Sequence, residues 1–331
     1  VKLLQILSII LSILFSTTTI ANTYEYQYNF AVFNKSFSED LERSLNLYQS
    51  FEQYFVDAEN IPFYVVIREE ELELFKKKFE EHKKAKKILR IPRFITDQWV
   101  LKKCGEPNIS KHGYWTQLVS KLCFGTLGIT KYYITLDSDS YFTRPFDKKI
   151  LFSGDIIKTY GYKLNKDEVE WSKNQKTVFY RFNCSENERY NQSTVDNLSV
   201  YDKRMLVKKF FGNKNPDIYN FVITHNFFSS DAIHRMKKFI KEKEFNFSLL
   251  QFLYPWEFQW YGEYILQHET FIPAPSLFSI VNRDTDCVSE KGYDSDYGIT
   301  YQSVSYQGWD KNRPEIHRRD KIIYKKPSTC K

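Results

Sequence analysis

Tyr132-Tyr133-Ile134-Thr135-Leu136-Asp137-Ser138-Asp139 is the stretch on which the fold turns. Tyr132 to Leu136 reads as an unbroken apolar strand, as expected of a strand covered on both faces of a parallel sheet. Two carboxylates follow at i and i+2. On an extended backbone such side chains point the same way. Asp137 and Asp139 can therefore hold one hard divalent cation, directly or through water. Ser138 points to the opposite face or donates a hydrogen bond. Asp-rich turns are also common at strand ends without any metal, so the surroundings have to decide.

Upstream, strands and helices alternate. Tyr28 to Phe33 reads as a first strand, and Ser36 with Glu39 has capping-box spacing for the helix that follows. Leu41, Leu45, Tyr48, Phe51 and Phe55 recur at helical intervals. Ile61-Pro62 opens a second strand, Phe63 to Ile67. A charged helix comes next, with Leu72, Phe75 and Phe79 on one side. Ile88 to Ile91 reads as a short third strand stopped by Pro92, and Phe94 to Leu101 is ambiguous. A turn at His112-Gly113-Tyr114 leads into a helix carrying Trp115, Leu118, Val119 and Leu122. The alternation predicts an α/β fold, a mainly parallel sheet with helices on both faces. Ligands of such sheets sit beyond the carboxyl ends of the strands, where the acidic triplet falls.

Downstream, residues 155–215 are polar with weak periodicity and read as an insertion or a substrate-facing subregion. Tyr219 to Thr224 is another apolar strand, ending at His225-Asn226. Ser230 or Asp231 is expected to cap a helix with Ile233, Met236, Phe239 and Ile240. Trp256 to Leu266 has helical spacing. Further strands are expected near Phe278 to Val281 and Ile322 to Tyr324. Residues 28–331 are read as one domain.

With 331 residues and 42% hydrophobic content, a substantial core is within reach and global disorder is excluded. Aromatics make up 18% of the chain, so no single one marks a binding platform. The net charge of +7 sits in local runs at 76–78, 83–87, 318–319 and 325–326. No zinc-finger, RNA-recognition or basic-zipper pattern accompanies them, and a nucleic-acid partner is not expected. The simplest reading of the first two runs is a solvated helix face. At the amino end, residues 1–21 hold Lys2, an apolar run from Leu3 to Phe15 and a small-residue exit, which is the pattern of a signal peptide or short membrane anchor. Cys104, Cys123, Cys184, Cys287 and Cys330 show no zinc or redox spacing; export would permit disulfides, with one cysteine left over. Asn-x-Ser sequons stand at Asn34, Asn108, Asn183, Asn191, Asn197 and Asn246 and matter only in a glycosylating lumen.

Ile134 to Phe142, with Arg144-Pro145-Phe146-Asp147 after it, resembles the D-x-D region of GT-A glycosyltransferases. Asn60 to Ile67, Phe94 to Asp97, Gly113 to Leu122 and Trp256 to Tyr264 extend the likeness to nucleotide-diphospho-sugar transferase-like proteins over residues 28 to 270. The resemblance implies a GT-A fold, a nucleotide-diphospho-sugar donor, Mn2+ or Mg2+, and an acceptor hydroxyl on a glycan, lipid or protein. By motif position Asp137 and Asp139 would meet the metal and the donor phosphates, with Asp139 counted among the catalytic residues. The metal would neutralise charge building on the leaving diphosphate. Gln117 and Lys121, one turn apart, are expected to face the donor. Phe33, Asn34 and Arg68 end the first two strands, where such folds place nucleotide contacts.

Glu263, next to Gly262, is the leading candidate for a general base acting on the acceptor, with Glu257 as its rival and a candidate acceptor contact. Gly262 leaves room for close approach of a ligand or backbone. His225 is a candidate for the acceptor or the diphosphate, and His317 for a third metal ligand. A haloacid dehalogenase-type phosphatase also places Asp-x-Asp after a hydrophobic strand, with the first Asp as nucleophile. That pattern wants an early strand and a Thr at position 141, where this chain has Tyr after several βα units. A non-catalytic secreted module holding a structural cation is the other alternative. A user of nucleotide sugars fits the lumen of a secretory pathway, as a type II membrane or secreted protein, or a bacterial membrane anchor.

Overall fold

The computed structural model describes residues 24–107, 113–138, 140–142, 144–175, 198–221, 226–274, 278–281 and 299–302. Its centre is a five-stranded sheet. Strands β1 (Tyr28–Lys35), β2 (Phe63–Ile67), β3 (Arg93–Thr96) and β4 (Thr130–Asp137) run parallel in the order β3-β2-β1-β4. A short β5 (Ser140–Phe142) leaves the sheet, and β6 (Asn226–Ser229) closes it antiparallel to β4. The chain builds outward from β1 to β3 and then returns to the other side of β1 for β4. That reversal opens a crevice between the carboxyl ends of β1 and β4, where Lys35 is in register with Asp137.

Side chains alternate along each strand and supply two cores. Phe30 and Val32 face α1 (Leu41–Tyr54) and α2 (Leu72–Lys84), whose Leu45, Tyr48, Phe51, Phe75 and Phe79 complete one cluster. Ala31 and Phe33 face the other side, covered by α3 (Asp97–Cys104) and α4 (Gly113–Phe124). Further along the chain come α5 (Lys166–Asn174), α6 (Val200–Phe210), α7 (Ser230–Glu242), α8 (Phe247–Leu253) and α9 (Glu257–His268). Of these, α6 to α9 also pack on the second face, through Val207, Ile233, Leu250 and Trp260. The expected α/β architecture, mainly parallel and covered on both faces, is the one observed. Cys104 and Cys123 form a disulfide that ties α3 to α4. Among the described residues no helix is long and apolar enough to cross a membrane.

Local expectations were corrected in four places. The third strand lies after Pro92, not before it. The Glu52 carboxylate accepts from Leu89 N and Arg90 N, which removes those donors from any ladder, and Pro92 is tolerated just ahead of a strand's first residue. The capping box at Ser36 does not form: a 3-10 turn at Ser38–Asp40 intervenes and α1 starts at Leu41. Ser229, not Ser230 or Asp231, caps α7, accepting from Ala232 N. Of the strand read at 219–224, Tyr219–Asn220 forms a two-residue strand antiparallel to Tyr162–Lys163 that stops before Phe221; the described sheet strand is β6, and residues 222–225 lie outside the described residues. The expected strand at Phe278–Val281 is present as β7, parallel to an unforeseen β8 (Ile299–Gln302) that pairs with β5. The leader at 1–21 and Ile322 to Tyr324 lie outside the described residues.

The polar subregion does not stand apart from the domain. Phe210 at the end of α6 meets Trp260 edge-on, with ring centroids 5.4 Å apart, and Phe221 lies across α9. A Cβ added to Gly262 would stand 2.1 Å from the Phe221 ring. The room at Gly262 is thus taken by this side chain. Gly262→Ala is expected to lower stability by about 2 kcal/mol despite the better helix propensity of alanine, because overpacking outweighs propensity here. Urea unfolding measures it. Adding Phe221→Ala should remove most of the extra cost of the alanine, and additive losses in the double variant would contradict this contact.

Candidate functional site

β4 delivers Asp137 to the crevice beside β1, and α4 approaches it from the second face. Gln117 Nε2 donates to Asp137 Oδ1 at 2.8 Å. One turn further along α4, Lys121 Nζ stands 3.1 Å from the same oxygen. The ammonium also lies 3.0 Å from Glu257 Oε1 at the first turn of α9, and over the Phe258 ring. Lys121 and Glu257 side chains are 3% and 1% exposed, whereas that of Asp137 is 20% exposed. Lys121 is therefore a buried cation shared by two acids, and the solvent-facing member of the trio is Asp137.

The charge balance decides the protonation states. Burial of one ion costs several kcal/mol. A contact near 3 Å contributes roughly 5 kcal/mol at an effective dielectric of about 20. Burial depresses the Lys121 ammonium, but the two carboxylates outweigh it and hold the group above the ordinary lysine range. Glu257 is buried with one cation to share, so burial lifts its carboxyl above the ordinary range despite Lys121.

On the other side of the crevice Asn34 is fully buried and makes a three-way tie. Its Nδ2 donates to Leu136 O at 2.9 Å and to Ser138 Oγ at 3.3 Å, while Ser44 Oγ on α1 donates to its Oδ1 at 2.7 Å. Ser138 Oγ in turn donates to Lys35 O. These bonds lock the ends of β1 and β4 together, and they exclude Asn34 as a glycan acceptor despite its sequon. Phe33 is buried in the second core, edge-on to Phe124; its side chain faces the core and not the crevice. Arg68 follows β2, and its Nη2 reaches to 3.1 Å from where a Gly113 Cβ would stand, at the start of α4.

Lys35, which sequence reading passed over, carries a second buried pair: its Nζ lies 3.2 Å from Asp97 Oδ2 and donates to Ser36 O. A lysine closing an otherwise apolar strand, with an aspartate just past the next strand, was the signal available for it.

Glu263 joins none of these groups. Asn213 Nδ2 donates to its Oε2 at 2.8 Å and Gln259 Nε2 to its Oε1 at 3.2 Å. The residue is 1% exposed, and burial pushes its carboxyl up to about 7 against the opposing pull of Asn213 and Lys208. Its partners are α6 and the turn after it, so its observed work is to join that subregion to α9. The structure thus brings together Asp137, Gln117, Lys121 and Glu257, with Asn34 bracing the crevice. Asp139, His225 and His317 lie outside the described residues.

As a holder of a divalent cation, Asp137 fits in kind: it offers a hard carboxylate oxygen at the strand end. Among the described residues its Oδ1 takes both the Gln117 and Lys121 contacts, which leaves Oδ2 for a ligand. Another cluster of ligand types, Cys104, Glu106 and Cys123, is already occupied. The cysteines are bonded to each other, and the Glu106 carboxylate accepts from Phe247 N and Ser248 N at the start of α8.

The model of DUF6492, described as a family of unknown function, matches residues 7–196. The span includes Asn34, Arg68, Gln117, Lys121, Asp137 and Asp139 and ends before Glu257 and Glu263. No curated protein matches the chain. Solved structures to which it is similar include mouse xyloside xylosyltransferase 1 in its apo form, at 9% identity and TM-score 0.44, covering 84% of this chain and 98% of that one. The apo structure of WbbM, a bifunctional glycosyltransferase, is similar at 12% identity and TM-score 0.48, covering 84% of this chain and 46% of that one.

Two outcomes follow from the buried charges. Lys121→Met is expected to destabilise by about 3–5 kcal/mol, since it strands Glu257 and Asp137 without a counter-ion. Adding Glu257→Leu should restore a large part in urea unfolding; no recovery would mean that the two are not coupled. Glu263 adds a pH dependence. The folded protein holds a proton there that the unfolded chain releases near pH 4.3, so stability falls as pH rises from about 4.5 to about 7. At ~1.4 kcal/mol per unit this amounts to about 3 kcal/mol. The stability of wild type relative to Glu263→Gln should decline over that window and level off above it, and a difference independent of pH would contradict the assignment.

Proposed function

The chain belongs to DUF6492, a family of unknown function, and we propose that it is a glycosyltransferase moving a sugar from a nucleotide-diphosphate donor to an acceptor hydroxyl with a divalent metal. One observation carries this reading: Asp137 stands at the end of β4, at the crevice where the strand order reverses, held through Oδ1 by Gln117 and Lys121, with no such contact on Oδ2 among the described residues. The D-x-D resemblance of Asp137 to Asp139 supports the same reading from the sequence.

In this proposal Asp137 and Asp139 hold Mn2+ or Mg2+, which would neutralise the diphosphate as it leaves. Lys121 does not contact the donor phosphates, because its ammonium is buried between two acids. Its part is to fix the direction in which Asp137 points, and Glu257 anchors Lys121 from α9. Lys121 and Glu257 are thus positioning residues. Asn34 keeps the two strand ends in register from the opposite side, and the half-buried Arg68 reaches the start of α4. Glu257 and Glu263 are both about as buried as the hydrophobic core. Neither is assigned as the base that takes the acceptor proton.

Calorimetric titration tests the proposal. Wild-type protein with Mn2+ is expected to bind one member of a panel of uridine, guanosine and cytidine diphospho-sugars, and to lose that binding on chelation. Asp137→Asn and Asp139→Asn should each weaken the metal-dependent part by roughly a hundredfold or more while unfolding as a single cooperative transition. Folded wild-type protein that binds no donor in the presence of metal would refute the assignment.

A further inference from the structure

The parallel strands begin on the side of the sheet opposite the crevice, in a staggered row: β1 at Tyr28, β2 at Phe63 level with Val32, and β3 at Arg93 level with Tyr64. Along β1, Tyr28 lies roughly 23 Å from the crevice end, at ~3.3 Å per residue, and the start of β3 at Arg93 stands nearer that end, level with Phe33. Three features converge on the side opposite the crevice. From the last turn of α2 onward the chain carries Lys83, Lys84, Lys86 and Lys87, all exposed, then Arg90 and Arg93, with no acidic residue in between. Lys86 takes a left-handed conformation, φ 57°, which turns the chain out of the helix.

The loop that follows is firmly built. The Glu52 carboxylate, 4% exposed, accepts from Leu89 N at 2.7 Å, from Arg90 N at 3.0 Å and from Arg90 Nε at 3.2 Å. Ile88 is buried as the anchor of this loop, and Leu89 is held outward with 74% of its surface exposed. Beside it lies a groove of about 160 Å³ lined by Tyr28, Tyr48, Glu59, Arg90 and Arg93 among others. The Arg93 guanidinium sits 4.7 Å over the Tyr28 ring.

We propose that this side docks on the surface of an anionic lipid bilayer. The lysines lie over the headgroups, Leu89 enters the boundary between headgroups and acyl chains, and a headgroup phosphate rests against Arg93 at the groove. Charge alone would suit nucleic acid equally well. A rigid loop that displays an isolated leucine gains nothing on a phosphodiester backbone, whereas on a bilayer apolar insertion and electrostatic attraction add. Arg90 contributes less than the lysines because Glu52 already neutralises it. The docked orientation leaves the crevice on the far side open to solvent. The inference is independent of the donor chemistry proposed there.

The test is flotation of the full chain with vesicles of phosphatidylcholine alone and of phosphatidylcholine with phosphatidylserine. Any binding by the leader itself appears on both. The expected result is a phosphatidylserine-dependent increment of roughly tenfold or more that shrinks as salt rises. The variant Lys83→Glu, Lys84→Glu, Lys86→Glu, Lys87→Glu should lose most of that increment. Leu89→Ser should weaken binding several-fold with an unchanged salt slope and an unchanged melting temperature. Equal binding to both vesicles, or a charge-reversed variant that floats like wild type, overturns the proposal. So does saturable, Arg93-dependent binding of inorganic phosphate without any vesicle increment, which marks a free-anion site. Retention of homopolymeric RNA that needs the lysines, again without vesicle binding, assigns the surface to nucleic acid and equally overturns it.

Discussion

Lys121 is the residue through which the crevice is assembled. Its ammonium is the common partner of an acid at the end of β4 and an acid at the first turn of α9, so the successive elements α4 and β4 meet the sequence-distant α9 at one charge. Without it, Glu257 would be buried with no cation at hand and Asp137 would lose one of the two groups that orient it. A buried ion network of this kind is a weak source of net stability, because apolar replacements of equal volume are often as stable. What it supplies is direction. With Oδ1 held by both Lys121 and Gln117, the Asp137 carboxylate cannot rotate freely.

The opposite wall is fixed by neutral hydrogen bonds instead of charge. Asn34 spends its amide on Leu136 O and Ser138 Oγ and its carbonyl on Ser44, which couples the ends of β1 and β4 to α1. Lys35 alternates to the other face of the strand and pairs with Asp97 at the start of α3. One dipeptide, Asn34-Lys35, therefore ties the carboxyl end of β1 to a helix on each face of the sheet. A strand end fixed in this way loses little further entropy when a ligand binds.

Much of this architecture is legible in the sequence, for a physical reason. Strand and helix periodicities are local, and the apolar runs at Phe63–Ile67 and Tyr132–Leu136 are continuous because both faces of a central strand are covered. The position of Asp137 relative to the sheet follows from that continuity. Errors arose where a distant side chain decided the local outcome. Glu52 captures the backbone of Leu89 and Arg90 and so moves the third strand beyond Pro92. Glu257 captures Lys121 and so turns a residue suited to a phosphate into an internal counter-ion. Phe221 fills the space that Gly262 leaves. None of these partners lies within reach of a periodicity window. Lys35 was passed over because a lysine at a strand end ordinarily reads as an exposed terminus.

The two acids on α9 show why residue type and position on a helix do not fix a role. Glu257 and Glu263 are six residues apart, nearly two turns, and both are fully buried. Glu257, at the first turn, is held by the charge of Lys121 and belongs to the crevice. Glu263 has amide donors from Asn213 and Gln259 in contact, with Lys208 acting only at longer range. Amide donors stabilise a carboxylate less than a paired cation does, and an amide N–H can go on donating to the carbonyl oxygen of a protonated acid. The site that can tolerate a neutral carboxyl is therefore Glu263, and the one that requires a counter-ion is Glu257. Hence the acid with the more base-like titration is the one turned away from the crevice, where it joins α6 and its following turn to α9. A perturbed carboxyl marks a functional centre only when geometry brings it there; here geometry assigns it to the seam between the polar subregion and the sheet domain.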